Sequence, residues 1–260
     1  QSFAYRLSKS MSLSFATDFF VNTLTANLPN YANPIRFSSL SVASVYYSTN
    51  KLDFNVYLLN TLVKEQTVDG YAAKPLFKLN KSISLGYKVF SIPNVRIRFL
   101  YKDIFRMPTF NDLYYSMVGN VNLNPENAKQ FNLGIVAYSH LWFFEYFSTK
   151  IDVYYNLITD KIVAIPTKNL FVWSMRNIGC VDTRGIELQT NVQTKSILPH
   201  LKIYASYTYS LQKAIDITSV YSPTYKHQIP YIPFETASAL FTLSYNNKIG
   251  RASCRERVYI

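Results

Sequence analysis

Apolar and polar residues alternate with a period of two along almost the whole chain. Residues 150–156 show the pattern, because Ile151, Val153 and Tyr155 occupy every second position and polar residues such as Lys150 separate them. A β-strand turns successive side chains to opposite faces, so this period is typical of strands with one apolar face. The pattern predicts an all-β protein.

The alternation divides the chain into about ten long strands. The predicted strands are 9–21, 36–48, 51–66, 79–90, 94–104, 128–139, 147–164, 175–192, 200–213 and 235–246. At about 3.3 Å per residue they reach roughly 35 Å or more. Soluble sheets usually have strands of about five or six residues, whereas a tilted strand that crosses a bilayer needs about 9–11.

The connections between these strands are short and long in strict alternation. The short ones are 49–50, 91–93, 140–146 and 193–199, and the long ones are 22–35, 67–78, 105–127, 165–174 and 214–234. An up-and-down sheet in a membrane has short turns on one side and long loops on the other. We therefore predict an antiparallel up-and-down meander that forms part of a transmembrane β-barrel.

Aromatic residues cluster at both kinds of connection. Trp142, Phe143, Phe144, Tyr146 and Phe147 surround a short turn, whereas Phe171 and Trp173 lie in a long loop. Such positions suit the aromatic girdles at the two membrane interfaces. The alternative is the aromatic core of a large soluble β-domain.

Composition narrows the function classes. Charged residues make up only 16% of the chain, and the net charge is +12. The basic residues occur singly on polar faces and in turns, so they predict a solvated or lumen-facing polar surface and no nucleic-acid partner.

His140, His200 and His227 are scattered and Cys180 and Cys254 are far apart, which predicts no metal site and no cofactor. The sequence contains no Gly-flanked nucleophile and no closely spaced pair of carboxylates, so it does not indicate an enzyme.

One long connection has the character of a motif. It runs Phe105-Arg106-Met107-Pro108-Thr109-Phe110-Asn111-Asp112-Leu113-Tyr114-Tyr115, and continues with Gly119-Asn120, Leu123-Asn124-Pro125-Glu126 and Gln130-Phe131-Asn132-Leu133-Gly134. Pro108, Asn111-Asp112, Gly119-Asn120 and Asn124-Pro125 predict a structured loop with several turns. The segments 154–156, 159–162, 177–179 and 185–187 continue the pattern on the next two strands.

This motif resembles a segment of TonB-dependent outer-membrane receptors. The resemblance implies a barrel of about 22 strands with a plugged lumen, in the outer membrane of a Gram-negative bacterium. It also implies uptake of a scarce, bulky nutrient such as siderophore-bound iron, haem, cobalamin or a glycan. The implied partners are the lipid bilayer with lipopolysaccharide, the nutrient ligand, and a TonB-type energy-transducing protein that contacts an N-terminal part.

Two sets of residues are candidates for function. The predicted ligand contacts in the outer loops are Arg106, Asn111, Asp112, Tyr114, Tyr115, Tyr225 and His227. The predicted lumen-facing polar residues are Arg96, Arg98, Lys102, Asp152, Glu187 and Lys202. The basic members of the second set would favour anionic ligands or balance the carboxylates of a plug.

The ends of the chain lead to a further expectation. The tail 249–260, IGRASCRERVYI, is rich in arginine and is similar to the conceptual translation of a DNA-sequencing adapter. We therefore expect residues 1–248 to be part of a receptor barrel without its plug, and 249–260 to be a non-native tail, which resequencing of the gene would test. A fragment of about ten strands leaves two unpaired sheet edges.

Two alternatives remain open at this point. One is a passive porin-like or other outer-membrane barrel, which an upstream plug domain would exclude. The other is a soluble carbohydrate-binding β-domain, which recovery only with detergent would exclude.

Overall fold

The fold is known from a computed structural model of the whole chain. The structure describes residues 1–29, 31–116, 118–140, 143–166, 173–177, 179–196, 200–221, 224–229, 232–245 and 248–258. These residues form fourteen strands and one short helix, α1 (Phe110–Tyr114). The strands are β1 (Ser2–Arg6), β2 (Met11–Thr23), β3 (Ile35–Ser48), β4 (Leu52–Gln66), β5 (Leu76–Phe90), β6 (Asn94–Arg106), β7 (Glu126–Ser139), β8 (Phe144–Thr159), β9 (Ile162–Pro166), β10 (Trp173–Asn177), β11 (Val181–Thr194), β12 (Leu201–Asp216), β13 (Glu235–Tyr245) and β14 (Lys248–Val258).

Twelve of the strands form one antiparallel sheet whose order follows the chain. The sheet runs from β1 through β8 and continues with β11, β12, β13 and β14, while β9 and β10 form a separate hairpin. Each strand pairs with its neighbours in sequence across most of its length, so the sheet is an up-and-down meander. The predicted fold class is confirmed.

Two predicted strands are each divided in the structure. The prediction 147–164 corresponds to β8 and β9, and the prediction 175–192 corresponds to β10 and β11. Asp160 and Gly179 separate these pairs and have φ angles of 57° and 108°. Positive φ is incompatible with strand geometry, so both strands break at the same height and the hairpin β9–β10 continues beyond the sheet.

The long connections all lie at one end of the sheet and the short turns at the other, as predicted. The antiparallel order requires this, because every second connection returns to the same edge. We call the end with the long connections the outer end. Among the described residues, no helix has the length and apolarity of a membrane-spanning segment.

The register separates an apolar face from a polar face. On β6, β7 and β8 the residues Phe99, Leu133 and Val153 stand opposite one another, and all three are exposed. The next position on each strand faces the other way and includes Arg98 opposite Gly134. Exposed apolar side chains that continue across three neighbouring strands mark contact with lipid or with another molecule.

Aromatic residues occur near the short turns, where a girdle was predicted. Phe143 is 72% exposed and Tyr146 is 37% exposed, while Trp173 at the outer end is 48% exposed. Trp142 and Phe171 lie outside the described residues.

The tail takes part in the sheet as β14, which pairs with β13 from Tyr245↔Lys248 to Glu235↔Val258. The proposed division at residue 248 concerns the origin of the tail and stays a prediction.

Candidate functional site

The motif connection forms a short capped helix at the outer end. The side chain of Thr109 accepts a hydrogen bond from the backbone N–H of Asp112 at 3.1 Å, and the Asp112 carboxylate accepts one from the Thr109 N–H at 2.8 Å. This is a reciprocal capping box. Asp112 is buried, so its carboxylate serves the helix terminus in this structure.

Arg106 links α1 to the first residue of β7. Its guanidinium donates two hydrogen bonds of 2.9 Å to the carboxylate of Glu126, and a third of 3.4 Å to Asp112. Glu126 also accepts a 2.6 Å bond from the backbone N–H of Ile162 at the start of β9. The motif therefore joins β6, α1, β7 and the hairpin.

A buried charge network lies beneath the helix. Arg36 donates from Nε to Glu65 Oε1 at 2.7 Å and from Nη2 to the carbonyl of Pro108 at 2.8 Å. The Tyr114 hydroxyl donates to the other carboxylate oxygen of Glu65 and accepts from the Ala73 N–H at 2.9 Å. Burial and the bond to Glu65 raise the pKa of Tyr114, so its hydroxyl keeps its proton and remains a donor.

Apolar packing also joins the long connections at the outer end. Tyr31, Leu113, Tyr114, Leu123 and Ile162 form a buried cluster, and each comes from a long connection or from the hairpin. We call this assembly the outer cap: the connections 24–34, 67–75 and 107–125 together with β9 and β10. Because its parts share one core, the outer cap is a packed unit and not a set of independent loops.

The predicted ligand contacts divide into two groups in the structure. Arg106, Asp112 and Tyr114 have partners inside the outer cap, as described above. Asn111, Tyr115 and His227 are exposed and Tyr225 is half-buried.

Tyr225 and His227 are held by the end of β12. Tyr225 forms a bridge with Asp216, and the Asp216 N–H donates to the His227 carbonyl at 3.1 Å. Ligand contact by these residues and by those of α1 stays a prediction.

The polar face carries ion pairs that reach over an intervening strand, from β6 to β4 and from β6 to β8, and one pair within β8. Arg96 donates to Asp53 at 2.9 Å, while Asp152 accepts from Arg98 at 3.0 Å and from Lys150 at 2.9 Å. The Asp152 side chain is 4% exposed. These residues line a hollow of about 420 Å³ on the polar face.

Gly134 makes room for this arrangement. A Cβ atom at Gly134 would overlap the Asp152 carboxylate and stand 3.2 Å from the Arg98 guanidinium. The glycine in the motif thus lets the ion pair between Arg98 on β6 and the buried Asp152 on β8 cross over β7.

The other predicted lumen residues lie further along the strands. Lys102 is exposed, stands opposite Ser82 and Gln130, and lines a groove of about 550 Å³. Glu187 is exposed opposite Asp152 and Ser210. Lys202 bonds to Glu145 at 2.7 Å near the short turns. Their lumen-facing role stays a prediction.

Sequence reasoning missed Asp53, Lys150, Arg36 and Glu65. The alternation places all four on the polar face, but their partners come from other strands and only the register identifies them. Within the described part of the chain, no group of three or more His, Cys, Asp or Glu side chains is arranged to hold a metal ion.

A match to a protein-family model identifies the family to which the chain belongs. The family described as "TonB dependent receptor-like, beta-barrel" matches residues 3–253. The chain belongs to this family. As a TonB-dependent receptor barrel it is a Gram-negative outer-membrane protein, and the predicted family and location are confirmed.

One curated relative is the vitamin B12 transporter BtuB of Vibrio vulnificus (strain YJ016). It is 37% identical over 90 residues, which are 35% of this chain and 14% of the relative. The chain therefore matches only a small part of that protein.

Solved structures of this architecture cover almost the whole chain. The FrpB iron transporter of Neisseria meningitidis (F3-3 variant) superposes with a TM-score of 0.69 at 14% identity, and covers 98% of this chain and 41% of its own. The copper transporter OprC has a TM-score of 0.72 at 13% identity, with coverage of 98% and 41%. The receptor barrel fold is therefore shared, and the chain spans less than half of these structures.

Proposed function

We propose that this chain is part of the wall of an energised importer for a scarce, bulky nutrient. In this proposal the outer cap lies at the extracellular mouth and the polar face lines the lumen. The family match over residues 3–253 carries the proposal. The proposed energy source is a TonB-type protein, which would act on an N-terminal part of the complete receptor.

The chemistry of the polar face supports a lumen role. The Arg96 and Arg98 side chains are ion-paired with Asp53 and Asp152, yet they remain 40% and 42% exposed. Partly exposed guanidinium groups suit water or a polar surface in the lumen. In a lipid environment such charges would be costly.

In this proposal, exposed residues of the long connections make the first contact with the ligand. Tyr115 is 52% exposed and Tyr221 is 98% exposed. Tyrosine offers a large flat surface with a polar tip, which stacks on macrocycles and sugars. The 37% identity to a vitamin B12 transporter makes cobalamin the first of the four proposed ligand classes to test.

Uptake by cells that make the complete receptor tests this function. We expect labelled cobalamin, or one of the other three ligand classes, to accumulate only when the receptor and the energy-transducing protein are both present. Removal of the energy-transducing protein should reduce accumulation to the level without receptor, while binding at the cell surface remains.

Two outcomes would contradict the proposal. Equal uptake with and without the energy-transducing protein would indicate a passive porin-like barrel. Recovery of the protein in the soluble fraction without detergent would exclude a membrane role.

A further inference from the structure

A groove on the apolar face of the sheet has two cationic side chains in its lining. Its volume is about 530 Å³, and its lining includes the apolar side chains Phe99, Phe131, Leu133, Val153 and Ile186. Each of these side chains is between 38% and 55% exposed. Arg184 and Lys213 also line the groove. The groove therefore combines an apolar channel with positive charge.

The two cations stand directly opposite each other on β11 and β12. Like charges in directly opposed positions of a sheet destabilise it. Arg184 is balanced in part by Asp182, to which it donates at 2.9 and 2.7 Å, yet its side chain remains 68% exposed. Lys213 is exposed and has no ion pair within the described residues.

Glu235 supplies a further carboxylate on this face. It stands opposite Leu211 and shares a hydrogen bond with Tyr209. Arg184 and Lys213 both line the groove, so an anion bound at this end of the groove would contact both cations.

The height of the cations matches a membrane interface. Tyr101, Phe131 and Tyr155 form a cross-strand row with ring centroids 4.8 and 6.2 Å apart, and the Arg184 guanidinium lies 5.3 Å from the centre of the Tyr155 ring. Rows of aromatic side chains mark the boundary of the apolar band in outer-membrane barrels. The cations thus lie level with lipid headgroups.

The apolar band below this row spans most of the apolar height of an outer-membrane barrel, which is about 25 Å. Tyr155 and Phe147 share one face of β8, with Val153, Ile151 and Thr149 between them. Eight residues correspond to roughly 26 Å along the strand, or about 20 Å of membrane depth at the usual tilt.

We propose that this groove binds a phosphorylated lipid of the outer leaflet. The phosphate would lie between Arg184 and Lys213, and one acyl chain would lie along Val153, Leu133 and Ile186. Arginine and lysine together suit a phosphate, since one offers a rigid fork of donors and the other a compact charge. The second apolar groove of the same face, at Phe19, Phe37, Leu62 and Phe77, also carries a lysine, Lys64.

Binding of defined lipids to the purified, detergent-solubilised protein tests the site. The probes are diphosphorylated lipid A, the same lipid without its phosphates, and inorganic phosphate, measured by native mass spectrometry. The double variant Arg184→Gln/Lys213→Gln removes the cations. Lys9→Gln/Lys51→Gln removes two exposed lysines at the short turns and is the matched control.

We expect the Arg184/Lys213 double variant to bind lipid A about tenfold or more weakly, and the control to bind like the wild type. Val153→Trp keeps the cations but fills the groove, and should also weaken binding. The heat-dependent shift in gel mobility of each variant shows that the barrel is folded.

Several results would overturn the site. Unchanged binding by Arg184→Gln/Lys213→Gln, or equal loss in both double variants, would exclude a local phosphate site. Equal binding of the dephosphorylated lipid would exclude the phosphate contact. Binding of inorganic phosphate as tight as that of lipid A would exclude the acyl groove. The test does not depend on which nutrient the receptor carries.

Discussion

Glu65→Ala is expected to destabilise the outer cap by about 3–5 kcal/mol, because it leaves the buried guanidinium of Arg36 without its counter-ion. The Arg36 side chain is 13% exposed and the Glu65 side chain is 2% exposed, so water cannot replace the lost carboxylate. The same change removes the acceptor of the Tyr114 hydroxyl.

Amide hydrogen exchange of Leu113 and Tyr114 measures this effect. A loss of 3–5 kcal/mol corresponds to an increase in exchange of about two to four orders of magnitude. Glu187→Gln removes an exposed carboxylate from the same face and should change exchange little, since surface substitutions usually stay within about 0.5 kcal/mol.

A double variant separates the charge effect from loss of packing. Arg36→Met/Glu65→Leu removes both charges and keeps apolar volume, so it should recover most of the lost protection. Unchanged exchange in Glu65→Ala would show that the network does not hold the outer cap.

Gly119→Ala should have the second largest effect, a loss of about 1–3 kcal/mol of cap stability. A Cβ atom at this position would lie 2.7 Å from the carbonyl oxygen of Leu113 and 2.7 Å from the amide nitrogen of Tyr115. Both are backbone atoms of α1 and its C-terminal cap, so the clash cannot be relieved by rotating a side chain. The turn must open, and the 2.7 Å bond from the Gly119 N–H to the Tyr115 carbonyl should lengthen or break.

Limited proteolysis of the connection 107–125 measures this change. Gly119→Ala should be cleaved faster than the wild type under the same conditions. Gly86→Ala is the matched control, because its Cβ would meet only Asp53 at 3.8 Å. Equal cleavage of Gly119→Ala and Gly86→Ala would contradict the packed cap.

Much of the fold follows from local pattern. The alternation of residues such as Val153 and Asp152 identifies a strand without knowledge of its neighbours, so all ten predicted strands are present. The breaks at Asp160 and Gly179 were not predicted, because a single residue with positive φ is not marked by the alternation. The short strand β1 and the pairing of β14 depend on neighbours that the pattern does not specify.

The candidate site was less predictable for a physical reason. Arg36 lies 29 residues from Glu65, and Tyr114 lies 49 residues from Glu65. Their contacts depend on register across several strands, which no local motif encodes. The motif identified α1 as a structured corner, but the chain alone could not show that Arg106, Asp112 and Tyr114 have hydrogen-bond partners within the protein.

The apolar face of the sheet is expected to meet lipid, and the polar face the lumen. Adjacent residues Ile186 and Glu187 report on opposite faces of β11, and both are exposed. The most direct measurement attaches a fluorophore to Ile186→Cys or Glu187→Cys in vesicles, with Cys180 and Cys254 replaced by serine. We expect a lipid-borne quencher to quench the Ile186 site and iodide in water to quench the Glu187 site. Equal quenching of both sites by iodide, or the reverse assignment, would contradict this orientation of the sheet.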